Sequence, residues 1–273
     1  MNSILLKYIP AIISVLFFFT SCEKDPADIV PEPEPALSYL SAVNSTNEVF
    51  LTFLFYNPSD LTSPEQYENV TINVTPLYPL DSFPKIVTIN FDDSGVLCPD
   101  SVIRKGKMIC RLNSPWNVLP SKSDITFENF YFDDNKIDGL FSFSSEQLND
   151  SIYIDYNILN GIVTKGNSDS VTFNMNMTIC TTSIRNERSL NPFSWHSCKL
   201  NNFSGSDFND KPFGVSISKQ IFFDNLCNNG ELTAGEIHIT PDASTDFSAN
   251  FGNGECDHSI TIIFNGNSIP VSF

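Results

Sequence analysis

From Asp169 to Cys180 apolar and polar side chains alternate without a break. Val171, Phe173, Met175, Met177 and Ile179 fall on one face, and Thr172, Asn174, Asn176 and Thr178 on the other. A period of two marks a β-strand with one buried face, because successive side chains in a strand point to opposite sides. The alternation recurs in Ile152, Ile154, Tyr156 and Ile158; in Val87, Ile89 and Phe91; in Ile237 and Ile239; and in Ile260, Ile262 and Phe264. A polar face on each predicts antiparallel pairing with one side in water, not a parallel sheet covered on both faces. Asn265-Gly266 lies between two β-prone runs and accepts the positive φ values of a two-residue type I′ hairpin. Asn160-Gly161, Lys165-Gly166-Asn167 and Asn229-Gly230 carry similar turn chemistry. One helix of few turns is predicted from Ser63-Pro64-Glu65-Gln66, which combines an N-cap serine, an N1 proline and a capping-box glutamine. No long amphipathic helix is found.

The expected fold is therefore all-β, an antiparallel sandwich or open barrel of many hairpin-connected strands. The 24 phenylalanines are enough to fill the core of one sizeable β-domain, and residues 37–273 are expected to form it. An internal echo links Ile89-Asn90-Phe91-Asp92-Asp93-Ser94-Gly95, with Cys98 and Asp100 beyond, to Ala249-Asn250-Phe251-Gly252-Asn253-Gly254, with Cys256 and Asp257 beyond. Two related half-sheets account for it, and so do two independent hairpins with common turn chemistry.

The N-terminus follows other rules. Lys7 precedes an uncharged apolar run from Ile9 to Phe19, too short to span a bilayer core of roughly 30 Å, which takes about 20 apolar residues. That is the charge-then-apolar order of a removable secretory signal over residues 1–21. Phe19-Thr20-Ser21-Cys22 resembles the lipobox of bacterial lipoproteins, with Phe19 in place of the usual leucine. The resemblance implies that Cys22 is lipidated and becomes the new N-terminus, its acyl chains holding the protein in the membrane more firmly than one chain does. Residues 22–36, with Val30-Pro31-Glu32-Pro33-Glu34-Pro35, read as an extended spacer, since each proline ring fixes φ and the carboxylates repel. At roughly 3.1 Å per residue it holds the folded part on the order of 40 Å from the anchor.

The formal charge of −17 becomes −18 once Lys7 leaves with the signal, 14 basic residues against 32 acidic. Nucleic acid is excluded as a partner, because phosphate binding needs clustered lysine and arginine. Apart from Cys22 there are six cysteines: Cys98, Cys110, Cys180, Cys198, Cys227 and Cys256. An even set in an oxidising compartment predicts disulfides, and six cysteines allow fifteen connectivities. Order along the chain favours Cys98 with Cys110, Cys180 with Cys198, and Cys227 with Cys256. No CxxC pair or His and Cys cluster points to zinc.

The charged start Glu23-Lys24-Asp25 looks like the export signal of surface-exposed lipoproteins of the Bacteroidota type. Asp100-Ser101-Val102, Asp150-Ser151-Ile152 and Asp169-Ser170-Val171 resemble the O-glycosylation acceptor of that group. The stretch from Phe251 to Asp257, Arg104-Lys105-Gly106-Lys107, and Thr126-Phe127-Glu128-Asn129-Phe130-Tyr131 resemble uncharacterised β-rich lipoproteins of the same type over about half the mature chain. The resemblance implies a fold class and an outer-membrane location at the cell surface, the periplasmic face being the alternative. It supplies no activity and no catalytic residues.

Signatures of hydrolysis are missing: there is no G-x-S-x-G elbow and no H-E-x-x-H, and His196, His238 and His258 are scattered. The glycines sit singly in turns, so no phosphate loop and no cofactor is expected. His238 reads as a solvated strand residue and His258 as a turn residue. Asp92, Asp93 and Asp100 around the Gly95 loop are the best oxygen donors for calcium, without EF-hand spacing, and aspartates in such turns ordinarily bond nearby amides. Trp116 and Trp195 lie in proline-bearing loops rich in amides and hydroxyls. They are candidate carbohydrate-binding residues, unless each plugs an end of the β-structure with its ring. The leading expectation is a non-enzymatic lipoprotein that binds a carbohydrate or an envelope protein. The alternatives are a secreted glycoside hydrolase using a carboxylate pair and a structural component of an outer-membrane assembly.

Overall fold

The computed structural model describes residues 31–57, 65–67, 69–77, 79, 82–166, 169–181, 194–224, 227, 230–242 and 244–273. The signal segment, Cys22 and the charged residues after it lie outside them. The chain opens with a helix, α1 (Glu34–Tyr56). Fourteen strands follow among the described residues: β1 (Glu65–Tyr67), β2 (Val70–Thr75), β3 (Lys85–Leu97), β4 (Ile103–Leu112), β5 (Ser121–Phe132), β6 (Asn135–Leu148), β7 (Ser151–Thr164), β8 (Ser170–Thr181), β9 (Ser194–Ser206), β10 (Pro212–Asp224), β11 (Glu231–Pro241), β12 (Phe247–Asn253), β13 (Ser259–Phe264) and β14 (Asn267–Ser272). They form one antiparallel sheet in which spatial order equals chain order, with β1 and β14 as its edges.

The all-β antiparallel expectation holds, and the alternation places the faces correctly. Val171, Phe173, Met175, Met177 and Ile179 are all buried on β8, while a polar row crosses the outer surface as Asp124, Ser142, Asn157, Asn176 and Asn202 on β5 to β9. Asn265 and Gly266, at φ +48° and +77°, make the expected two-residue turn between Phe264 and Asn267. The echo segments belong to one continuous sheet and not to two half-sheets; each is a strand end running into positive-φ glycines, Gly95 in one and Gly252 and Gly254 in the other.

Two corrections concern the backbone. Asn160-Gly161 is no turn: it lies within β7 as a bulge, where the register against β6 slips between Asp138 and Leu140. Gly139 crosses this bulge at φ +121°, and a Cβ there would stand 2.6 Å from the Asn160 carbonyl oxygen. Gly106 is tighter on the next bulge, its Cβ position falling 1.9 Å from the Asn129 carbonyl oxygen. Such bulges bend and twist a sheet, which is how so many strands coil around a core. Second, Glu65-Gln66-Tyr67 pairs with β2 as a strand instead of opening a helix; Ser63 and Pro64 lie outside the described residues.

The helix that exists was not expected. It begins inside the segment read as spacer, with Pro35 in its first turn, where a missing N–H costs nothing, and Glu34 beside the positive end of the helix dipole. It runs along the inner face of the sheet and is buried on almost every side. Tyr39 meets Phe203 edge-on at 4.9 Å, Phe50 lies 4.9 Å from Phe143 and 5.3 Å from Tyr156, and Tyr56 meets Phe91 at 5.1 Å. Of its small polar residues, Thr46 bonds within the helix, donating to the Ala42 carbonyl at 2.8 Å, and Asn47 Oδ1 accepts from the Tyr156 hydroxyl at 3.4 Å. Among the described residues, no helix is long and apolar enough to cross a membrane.

Candidate ligand-binding cleft

One stripe of α1 is left uncovered by the sheet. Leu37, Leu40, Ser41, Asn44, Ser45 and Glu48 share it, as the three- and four-residue spacings of a helix require. Facing them are hairpin ends: Val102 before β4, Phe132 to Asn135 between β5 and β6, Lys165 and Asp169 between β7 and β8, and Phe208 and Asn209 between β9 and β10. Gly230, Glu231, His258 and the C-terminal Phe273 complete the wall. The cleft has a volume of about 780 Å³, within the range of roughly 300–1,000 Å³ common for small-molecule sites.

Charge is unevenly divided along it. Glu34, Glu48, Asp133, Asp169 and Glu231 supply carboxylates, against Lys165 and the imidazole of His258. Lys165 Nζ rests 4.2 Å from the centre of the Phe208 ring. Glu231 is 2 % exposed; its Oε1 accepts the His258 backbone N–H at 2.8 Å, and its Oε2 sits 3.1 Å from His258 Nδ1 with no hydrogen bond between them. Burial pushes the Glu231 carboxyl above the usual glutamate range, and the nearby imidazole opposes that. His258 holds φ +49° to make this contact, so its turn role stands, with a wall position added.

At the inner end of the stripe, Glu48 reaches a buried ion cluster. Arg104 donates from Nη1 and Nη2 to the two Asp100 oxygens at 2.8 and 2.6 Å, from Nη2 to Glu48 Oε2 at 2.9 Å, and from Nε to Thr52 Oγ1 at 2.9 Å. The forked guanidinium thus takes a bidentate carboxylate and still reaches the helix. Burial pushes Glu48 up to about 7 even though Arg104 pulls it down. Burial works against the charge on Arg104 as well, but its bond to Asp100 and the charge of Glu48 hold its pKa above the ordinary arginine value.

No family model, curated protein or solved structure matches the chain. The chemistry of the site has to be read from its own residues.

Those residues are not the ones the sequence singled out. Trp116 is 6 % exposed and packs edge-on against Phe53 at 5.1 Å and Phe50 at 5.9 Å, so it closes the core over α1. Trp195 is 2 % exposed and stacks on Phe223 at 5.4 Å. Both are core plugs, and neither offers a ring to a sugar. The calcium trio does not converge: Asp92 and Asp93 line one outer groove with Lys107 and Glu128, where Asp92 Oδ1 accepts the Ser94 N–H and Oγ in its own turn, and Asp100 is taken by Arg104. Among the described residues, one group of His, Cys, Asp and Glu has metal-ligand spacing, Cys180, His196 and Cys198, and its two sulfurs are joined in a disulfide.

The cysteines divide two to one. Cys180–Cys198 and Cys227–Cys256 are bonded as neighbour order suggests. Cys98 and Cys110 are free and buried. Cys98 lies at the turn opposite Val102, where β4 begins, whereas Cys110 stands opposite Val87 near the other end of β4. About eight residues of extended strand, roughly 3.3 Å each, therefore separate them, far beyond the Cα spacing of a disulfide. His238 contacts Asp246 at 3.1 Å on the wet face, as expected of a strand histidine. The cleft itself was missed because its residues come from turns scattered over the chain and from a helix whose polar residues are not confined to the open stripe, Ser38, Thr46, Asn47 and Thr52 being buried.

Proposed function

We infer that this chain is a secreted lipoprotein, anchored in the outer membrane through Cys22 with its folded part at the cell surface, and that it binds a ligand without transforming it. The observation that carries the binding role is the cleft of about 780 Å³ along the uncovered stripe of α1. The address rests on the signal-like N-terminus, the lipobox resemblance and the charged residues after Cys22. The three Asp-Ser-Val/Ile tripeptides support a surface position through their resemblance, as a set, to the O-glycosylation acceptor of surface lipoproteins.

A thermal-shift screen of glycans and small polar molecules tests the binding role. Ser41→Trp, which puts a large ring on the stripe, is expected to abolish any stabilisation while the protein still melts cooperatively. Equal stabilisation of the variant would place binding elsewhere and defeat the reading. Cys22→Ser should abolish palmitate labelling, and protease treatment of intact cells should release the folded part. Full protection beside accessible surface controls would put it on the periplasmic face. The hydrolase alternative draws on one observation, the Glu48 carboxyl raised to about 7 by burial in the cleft. Polysaccharide turnover that disappears in Glu48→Gln would replace the binding reading with that one.

A further inference from the structure

Two buried side-chain oxygens on this cleft, Glu34 Oε2 and Asn44 Oδ1, have no hydrogen-bond partner, and a third, Glu231 Oε2, has only the His258 imidazole at 3.1 Å. Buried polar atoms are ordinarily paired, and an unmet group shielded from water marks a position that something else satisfies. All three are acceptors, so what satisfies them has to donate. The carboxylates along the wall outnumber its cations, Lys165 and His258, even with Glu48 bound to Arg104, which adds that the donor is a cation. An anion would be repelled, and a neutral polyol would bring no charge to Glu34.

Shape narrows the class further. Glu34 and Glu48 stand fourteen residues apart on one helix stripe, which at a rise of 1.5 Å per residue is about 21 Å. Between them the floor is apolar at Leu37 and Leu40 and polar at Ser41 and Asn44. An apolar patch with an acceptor on either side, Glu34 and Asn44, matches a chain whose charged nitrogens are spaced by methylene runs.

We propose that the cleft takes a linear aliphatic polyamine, its ammonium groups donating to Glu34, Asn44 and Glu231 and its methylenes lying over Leu37 and Leu40. This rests on the reading of the cleft as the ligand site and names the ligand class. Each ammonium has three donors and no acceptor, which suits the unmet oxygens of Glu34 and Asn44. Lys165, the one lysine of the lining, is engaged by the Phe208 ring.

Calorimetric titration of the purified full chain in mild detergent with spermine, cellotriose and citrate tests the proposal. Spermine is expected to bind alone of the three, and Glu34→Gln and Glu231→Gln are each expected to weaken it by about tenfold, as loss of one charge-assisted contact does. Glu34→Gln sits in the first turn of α1, where the substitution leaves the core untouched, so it remains informative should Glu231→Gln fold poorly. Spermine binding equal in wild type and both variants would be diffuse attraction to a chain of charge −17 and would overturn the proposal. Cellotriose binding that Ser41→Trp abolishes, with no spermine binding, would overturn the polyamine and keep the ligand cleft. Binding of none of the three would overturn the polyamine, and the wider screen against Ser41→Trp would still decide the cleft.

Discussion

Arg104 holds a permanent positive charge inside a phenylalanine-rich core, and its four hydrogen bonds go to Thr52, Asp100 and Glu48. Burial pushes the Glu48 carboxyl up to about 7 in the fold, above the 4.5 of an unperturbed glutamate, and Arg104, shared with Asp100, offsets only part of that. Arg104, Asp100 and Asp133 are the charged groups that face it. Between those two values the folded chain keeps a proton that the unfolded chain gives up. The stability this contributes is fully present below about pH 4.5 and is lost as pH rises through about 7, a loss on the order of 3 kcal/mol. Glu48→Gln cannot ionise, so the difference in urea unfolding free energy between wild type and variant should change by about that amount over this window. A pH-independent difference would mean that Arg104 keeps Glu48 charged throughout. None of this was legible in the sequence, where Arg104 stood in a hairpin motif and Asp100 beside a calcium loop. Pairing across fifty residues of chain leaves no local pattern. The tryptophans misled for a related reason: their neighbours in sequence are polar, yet Trp116 packs on the core from its loop and Trp195 is buried on β9.

At the scale of elements, strands were legible and the helix was not, and the difference is geometric. A strand in an open antiparallel sheet has one wet face, which writes a period of two into the sequence. A helix enclosed by that sheet buries polar residues as well, Ser38, Thr46, Asn47 and Thr52 among them, so the open stripe from Ser41 to Glu48 does not stand out as a polar face. Tyr39, Val43, Val49, Phe50, Thr52 and Phe53 are also β-prone by composition. Bulges were hidden as well, because Asn-Gly supplies positive φ equally to a turn and to a kink within a strand. Gly106 and Gly266 separate the two uses. Both have positive φ, but a Cβ at Gly106 would collide with the Asn129 backbone, and one at Gly266 would meet nothing within 4 Å. Gly266→Ala should therefore cost only backbone strain, about 1 kcal/mol. Gly106→Ala should cost on the order of 3 kcal/mol or more, since the β4–β5 bulge must open. Chemical denaturation of the two variants side by side decides it, and equal losses would show that the bulge yields freely.

Across the whole molecule, the cleft depends on segments far apart in sequence being held in register, and the two disulfides hold different parts of it. Cys180–Cys198 joins β8 to β9, which are already hydrogen-bonded neighbours. Cys227–Cys256 ties the connection before β11 to the one before β13, and β12 lies between those strands. Gly230 and Glu231 follow the first of its cysteines, and His258 follows the second. The bond therefore braces the Glu231–His258 side of the cleft, with the His258 N–H to Glu231 and the Phe273 N–H to the His258 carbonyl as secondary ties. Closing a loop over a separation of 29 residues stabilises by roughly 3 to 4 kcal/mol on chain-entropy grounds. Replacing Cys227 and Cys256 together by serine should lower the unfolding free energy by about that amount and, at temperatures where the variant stays folded, weaken any ligand held at Glu231. The double serine variant of Cys180 and Cys198 should lower stability without touching the cleft, because its ends are far along β8 and β9 from the lining residues. Non-reducing peptide mapping identifies the bonds, and melting curves with and without ligand measure both effects. Equal loss of ligand stabilisation in the two variants would show that the cleft follows global stability rather than this local brace.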